Sequence, residues 1–162
     1  MSDKPTAEEI ARWQKRLASQ ANNRAWALAD ATTRNAEEDE EMLQAAHAAM
    51  YLWKIVGSDG NKAHAAQLMA HAYAILKLPN PARYYLNKSQ AYFLQRDCEP
   101  WELAFAHAVA ANVAAAAGET EDHVTHYRKA ERIVSSLADQ EDRDILEKTM
   151  NVIPKPVKNS AA

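Results

Sequence analysis

Six histidines are the side chains of this 162-residue chain best suited to chemistry. His123 and His126 lie one helical turn apart and His64 and His71 two turns apart, so each pair would share a helix face, a spacing at which imidazoles can hold a metal ion. The companions such a centre needs are missing. A di-iron bundle requires Glu-x-x-His on each of two helices and a zinc hydrolase requires His-Glu-x-x-His, and neither motif occurs. Cys98 has no assignable histidine partner, no serine is framed by glycines, and three scattered glycines cannot build a phosphate-binding loop. The expectation is a non-catalytic protein without metal or cofactor.

Two histidines carry a different signal. His64 and His71 stand with Asn61 and Gln67 at steps of three, three and four, a polar stripe opposite Ala65, Leu68, Met69, Ala72 and Leu76. Such a stripe is more often ordinary solvent-facing surface than the wall of a binding groove, and only the choice of histidine and glutamine over glutamate and lysine points to the groove. His107 lies inside a nearly continuous apolar run, where it must find a hydrogen-bond partner and act as a buried structural polar group whose titration lowers stability below neutral pH. The carboxylates Glu37 to Glu41 read as complements to a helix N-terminus rather than a cation site. Trp13, Trp26, Trp53 and Trp101 lie on or beside apolar stripes and read as core packing rather than a ligand cage.

All of these side chains sit on helices. Thr6 with Glu9 forms a capping box, after which Ile10, Trp13, Leu17, Ala21, Ala25 and Leu28 fall on one face of a first helix over 7–31. Asn35 with Glu38 opens a second helix that ends at Gly57, and Ser58-Asp59-Gly60 is a turn before a third that runs to Leu78. Asn80 caps a fourth with Pro81 in its first turn, Glu99-Pro100 opens a fifth closed by Gly118, and Thr120 and Asp139 cap a sixth and a seventh. The fifth, apolar nearly all round, is expected to be the most buried element. Residues 7–153 form one domain, with 1–6 and 154–162 as flexible ends.

Hydrophobic residues make up 48% of the chain and charged ones 25%, and with so few glycines and only scattered β-branched residues this is an all-α composition. A formal net charge of −3 with dispersed Lys and Arg argues against a nucleic-acid partner. The polar, acidic start lacks the pattern of a secretory signal, the single cysteine fits a reducing compartment, and the run Leu103 to Ala117 is too short to span a bilayer. A cytoplasmic protein without membrane association is expected.

An alanine-rich helix, a tight break and a more aromatic helix recur at roughly forty-residue intervals, over 63–94 and again over 104–134. Met69-Ala70, Tyr73, Ala82, Leu86 and Ser89 in the first copy, and Ala110-Ala111, Ala114, Gly118, Tyr127 and Ala130 in the second, resemble the spaced small and large positions of the tetratricopeptide repeat. Asn22-Asn23-Arg24-Ala25 faintly resembles the first helix of a further copy. The clear copies stand about seven residues further apart than the family's period, and His123 replaces its usual alanine. The resemblance implies about seven antiparallel helices in a right-handed α-α superhelix, whose odd-numbered helices line a groove for a protein or peptide partner. It places His64, Gln67, His71 and Asn112 at groove positions, and Trp26 of the first helix joins them as a candidate contact. The alternatives are a self-associating structural protein and an all-α metal- or small-molecule-binding protein.

Overall fold

The computed structural model describes residues 4–157; Met1 to Asp3 and Lys158 to Ala162, which belong to the two ends expected to be flexible, lie outside the described residues. Among the described residues there are seven helices and no strands: α1 (Ala7–Ala29), α2 (Ala36–Val56), α3 (Asp59–Ile75), α4 (Pro79–Phe93), α5 (Pro100–Ala117), α6 (Thr120–Ser136) and α7 (Gln140–Val152). No helix among them is long and apolar enough to cross a membrane.

Local chemistry sets most of the boundaries. Thr6 with Glu9 and Asn35 with Glu38 form reciprocal capping boxes, and the Asp139 side chain accepts from the Asp142 N–H. Ser58 with Asn61 makes a further capping box where the sequence suggested only a turn. Two expected caps are displaced: α4 begins at Pro79 behind Leu78, and Thr120 is itself the first residue of α6, with Glu119 before it. Neither Leu78 nor Glu119 makes a side-chain cap hydrogen bond, and proline stands in the first turn of α4. Gly118 ends α5 at φ 75°, the left-handed region that suits glycine. Lys77 takes the same region at φ 60° between α3 and α4.

The helices pack as three antiparallel pairs. In the first, Ala18 faces Ala49 and Trp53, Ala25 faces Ala46, and Leu28 and Ala29 face Met42. In the second, Ala63 meets Phe93 while Ala70 and Ala74 meet Ala82 and Leu86. In the third, Ala104 meets Val134 and Leu137, and Ala108 and Ala111 meet Tyr127 and Ala130. Alanine at these crossings lets helix axes approach closely. α3 lies between α1 and α5 and also contacts α2 and α4. For that reason α3 is buried at least as completely as α5, from Ala65 to Ala72 without a break, which corrects the expectation that α5 would be the most buried helix. α7 runs alongside α5 in the same direction, with Leu146 beside Ala104, and Met150 and the following Ile153 beside Ala108 and Ala111.

The N-terminal half of α1 departs from the expected core. Ile10, Trp13 and Leu17 are 44%, 59% and 49% exposed, so Trp13 is a surface residue. Ala18 is the first buried position of α1, and it packs against residues near the end of α2. The apolar stripe continues for two turns past the point where α2 stops covering it.

Candidate functional site

α1, α3 and α5 run side by side and place a row of rings across three helices. Trp26 of α1 lies edge-on to Phe105 of α5, with centroids 5.4 Å apart, and stacks on His71 of α3 at 5.5 Å. Phe105 meets Trp101 edge-on at 6.3 Å, and Trp101 lies parallel to His64 at 5.6 Å. Spacing along the chain explains the arrangement: Trp101 and Phe105 are one turn apart on α5, and His64 and His71 two turns apart on α3. Trp26, His64, Trp101 and Phe105 are partly exposed. His64 Nε2 lies 3.0 Å from Glu102 Oε1 at the edge of the row, and its ring also contacts Phe93.

Beneath this row the face is polar and closed. Gln67, His71 and Asn112 are each no more than 1% exposed, so these three expected groove contacts do not reach the surface. The stripe from Asn61 to His71 is therefore not one solvent-facing wall: it enters the interior at Gln67, where α1 and α5 close over α3. Asn112 Nδ2 donates to His71 Nδ1 at 3.1 Å, which puts the ring hydrogen of a neutral His71 on Nε2. That Nε2 and the Nε2 of Gln67, one turn away, are buried donors with no hydrogen-bond partner among the described residues. Burial, and to a lesser extent the nearby Arg34 guanidinium, lower the His71 pKa to about 3, so the ring is neutral in the folded protein across the physiological range.

α7 closes one end of this face. Thr149, fully buried, donates its hydroxyl to Asp30 Oδ1 at 2.9 Å, tying α7 to the end of α1. Burial raises the Asp30 pKa to about 6, against the lowering effect of the Thr149 hydroxyl and Lys148. Beside this clasp is a cavity of about 240 Å³, lined by Arg34, Lys77, Asn112 and Asn151 among others. The opposite end, at His64, Trp101 and Glu102, has no such cover.

The remaining histidines are occupied separately. His107 Nδ1 faces His126 Nδ1 at 2.9 Å, so one ring donates to the other, and burial with their mutual proximity lowers the His107 pKa to about 4. His107 thus has the partner its position demanded, supplied by α6. His123 Nδ1 donates to the Ala111 carbonyl at 2.9 Å, so that nitrogen is not available to pair with His126 at a metal. Among the described residues no three His, Cys, Asp or Glu side chains converge on a common point. Three carboxylates of the acidic run of α2 are engaged: Glu38 completes the Asn35 cap, Asp39 pairs with Arg34, and Glu41 takes a two-pronged bond from Arg24 of α1 at 2.6 and 2.7 Å. Cys98 donates to the Phe93 carbonyl, and burial raises its pKa, which disfavours the nucleophilic thiolate.

Sequence reasoning missed Phe105, Trp101 and Glu102 as members of this face. The signal for Trp101 and Phe105 was their one-turn spacing beside an alanine surface; their meeting with Trp26 depends on how α1 and α5 approach across α3. Compared with known proteins, the chain matches no family model, no curated protein and no solved structure.

Proposed function

We propose that the chain is a tetratricopeptide-like binding module that takes a peptide or protein partner on the face of α1, α3 and α5. The observation that carries this reading is the row of partly exposed rings, Trp26, Phe105, Trp101 and His64, spread over three helices and open at the His64 end. Aromatic side chains held by their neighbours present large contact area at little entropic cost, which is why they anchor protein interfaces. The pairing of α1 with α2, α3 with α4 and α5 with α6, with α3 flanked by α1 and α5, supports a repeat of helical hairpins. Buried His71, bonded to Asn112, stacks on Trp26 and holds that ring, and His64 with Glu102 supplies polar selectivity at the rim.

A photo-crosslinking amino acid placed at position 101 tests this reading. It is expected to capture a discrete polypeptide from the native extract, whereas the same group at the exposed position 132 of α6 captures none. Equal capture at both positions, or none at 101, contradicts it.

The exposed stripe Ile10, Trp13 and Leu17 favours a second reading, self-association through α1. Trp13→Glu is expected to change the unfolding free energy of the monomer by less than about 0.5 kcal/mol. Sedimentation decides this reading: a dimer dispersed by Trp13→Glu supports it, and a monomer at all concentrations excludes it.

A further inference from the structure

On a different face of the molecule, α2, α3 and α4 enclose an open cleft of about 560 Å³, a volume typical of small-ligand sites. Its floor is Ala63, Ala66 and Met50, Tyr85 and Tyr92 of α4 form an aromatic side, and Tyr51 of α2 also lines it. The first two rings are held in place: Tyr85 stacks on Tyr73 at 6.0 Å, and Tyr92 carries the Arg96 guanidinium on its face at 4.3 Å. Gly60 makes room for this side, since a side chain there would meet the Tyr92 hydroxyl at 3.1 Å. Tyr51 is 65% exposed, a large ring left in solvent at the rim.

The charge of the cleft runs against that of the chain. Lys54, Lys62 and Lys88 line it against the single carboxylate of Asp59, a local excess of two positive charges in a protein of net charge −3. Lys62 pairs with Asp59 at the surface, while Lys54 and Lys88 form no ion pair among the described residues. Lys88, which lines the cleft, rests its ammonium group over the neighbouring Tyr84 ring at 4.7 Å. The first turn of α3, the positive end of its dipole, forms the lip.

We infer that this cleft binds a small aromatic phosphomonoester. A flat ring suits the tyrosine side and alanine floor. A phosphomonoester, with about −1.5 to −2 charges at neutral pH, matches the excess of two lysines better than a carboxylate does. The tyrosine hydroxyls add hydrogen-bond donors to the phosphate oxygens. This site is independent of the α1, α3 and α5 face, and neither reading requires the other.

Titration calorimetry with adenosine monophosphate, phosphotyrosine, adenosine and inorganic phosphate tests the inference. At least one of the two aromatic phosphomonoesters is expected to bind at least about tenfold more tightly than either adenosine or inorganic phosphate. The double variant Lys54→Glu with Lys88→Glu, both on the surface, is expected to weaken that binding by at least about tenfold. Lys15→Glu with Arg16→Glu on α1 makes the same change in net charge and is expected to leave it unaltered. Preference for adenosine monophosphate identifies a free nucleotide as the source of this chemistry, and preference for phosphotyrosine a phosphorylated tyrosine; either result supports the site. The inference is overturned if neither phosphomonoester binds more tightly than inorganic phosphate, or if the α2 and α4 variant binds no more weakly than the α1 control.

Discussion

Phe93→Ala is expected to cost about 3–5 kcal/mol of stability and to lower the melting temperature by on the order of 10 °C. Phe93 is 1% exposed and is the large residue at the point where α4 meets both α3 and α5, against Ala63 and Ala106. Its neighbours are mostly small, and the helices that carry them already pack closely, so little can move in to fill the space a truncated side chain leaves. The cost is the lost burial of the ring plus the cavity. His64 packs on the same ring at 4.8 Å, so the variant should also loosen the His64 end of the proposed binding face. Urea denaturation measures the effect, with Trp13→Ala as the exposed-tryptophan control. A loss below about 1 kcal/mol would mean that the α3, α4 and α5 junction is not packed as described.

Acid is expected to destabilise the protein chiefly through His71. The ring is fully buried, and its pKa falls from 6.5 to about 3 on folding, so the unfolded chain binds a proton that the folded chain refuses. A histidine depressed in this way stabilises the fold above its unfolded pKa and loses that contribution as pH drops through and below about 6.5. Between about pH 7.5 and about pH 5 the loss from His71 is about 2 kcal/mol. His107 acts in the same direction by a smaller amount, because it is only half buried and solvent screens it. Asp30 opposes them. Its raised pKa makes the folded chain hold a proton more firmly than the unfolded chain, so its contribution improves as pH falls from about 6 towards 4 and offsets about 1 kcal/mol. His71→Gln keeps an acceptor for the Asn112 amide and removes the titration. The variant should lose about 2 kcal/mol less than the parent over the same range, read from denaturation curves at the two pH values. Parallel losses would show that His71 is not the buried neutral ring described.

The division between what the sequence revealed and what it hid follows the range of the interactions. Helix ends were legible because capping is local: Thr6 with Glu9, Asn35 with Glu38, and Gly118 act within one turn. The antiparallel pairs followed from short connections between helices of similar length. The depth of each face was not legible. A helical wheel shows that Gln67 and His71 share a side of α3, but the approach of Trp26 from α1 and of Asn112, 41 positions beyond His71, makes that side interior. The same wheel placed Ile10, Trp13 and Leu17 on the core stripe of α1, and there the partner helix simply ends. His107 needed a partner, and nothing local pointed to His126.

The tryptophan distribution allows a direct test of the binding face. Trp26 and Trp101 lie on the proposed face, Trp53 is in the core, and Trp13 is on the exposed stripe of α1. Indole N–H resonances of isotope-labelled protein, assigned by single substitution, can be followed while the polypeptide captured at position 101 is titrated in. The resonances of Trp26 and Trp101 should shift, and those of Trp13 and Trp53 should not. Shifts confined to Trp13, or no shift at either Trp26 or Trp101, would contradict a partner-binding face on α1, α3 and α5.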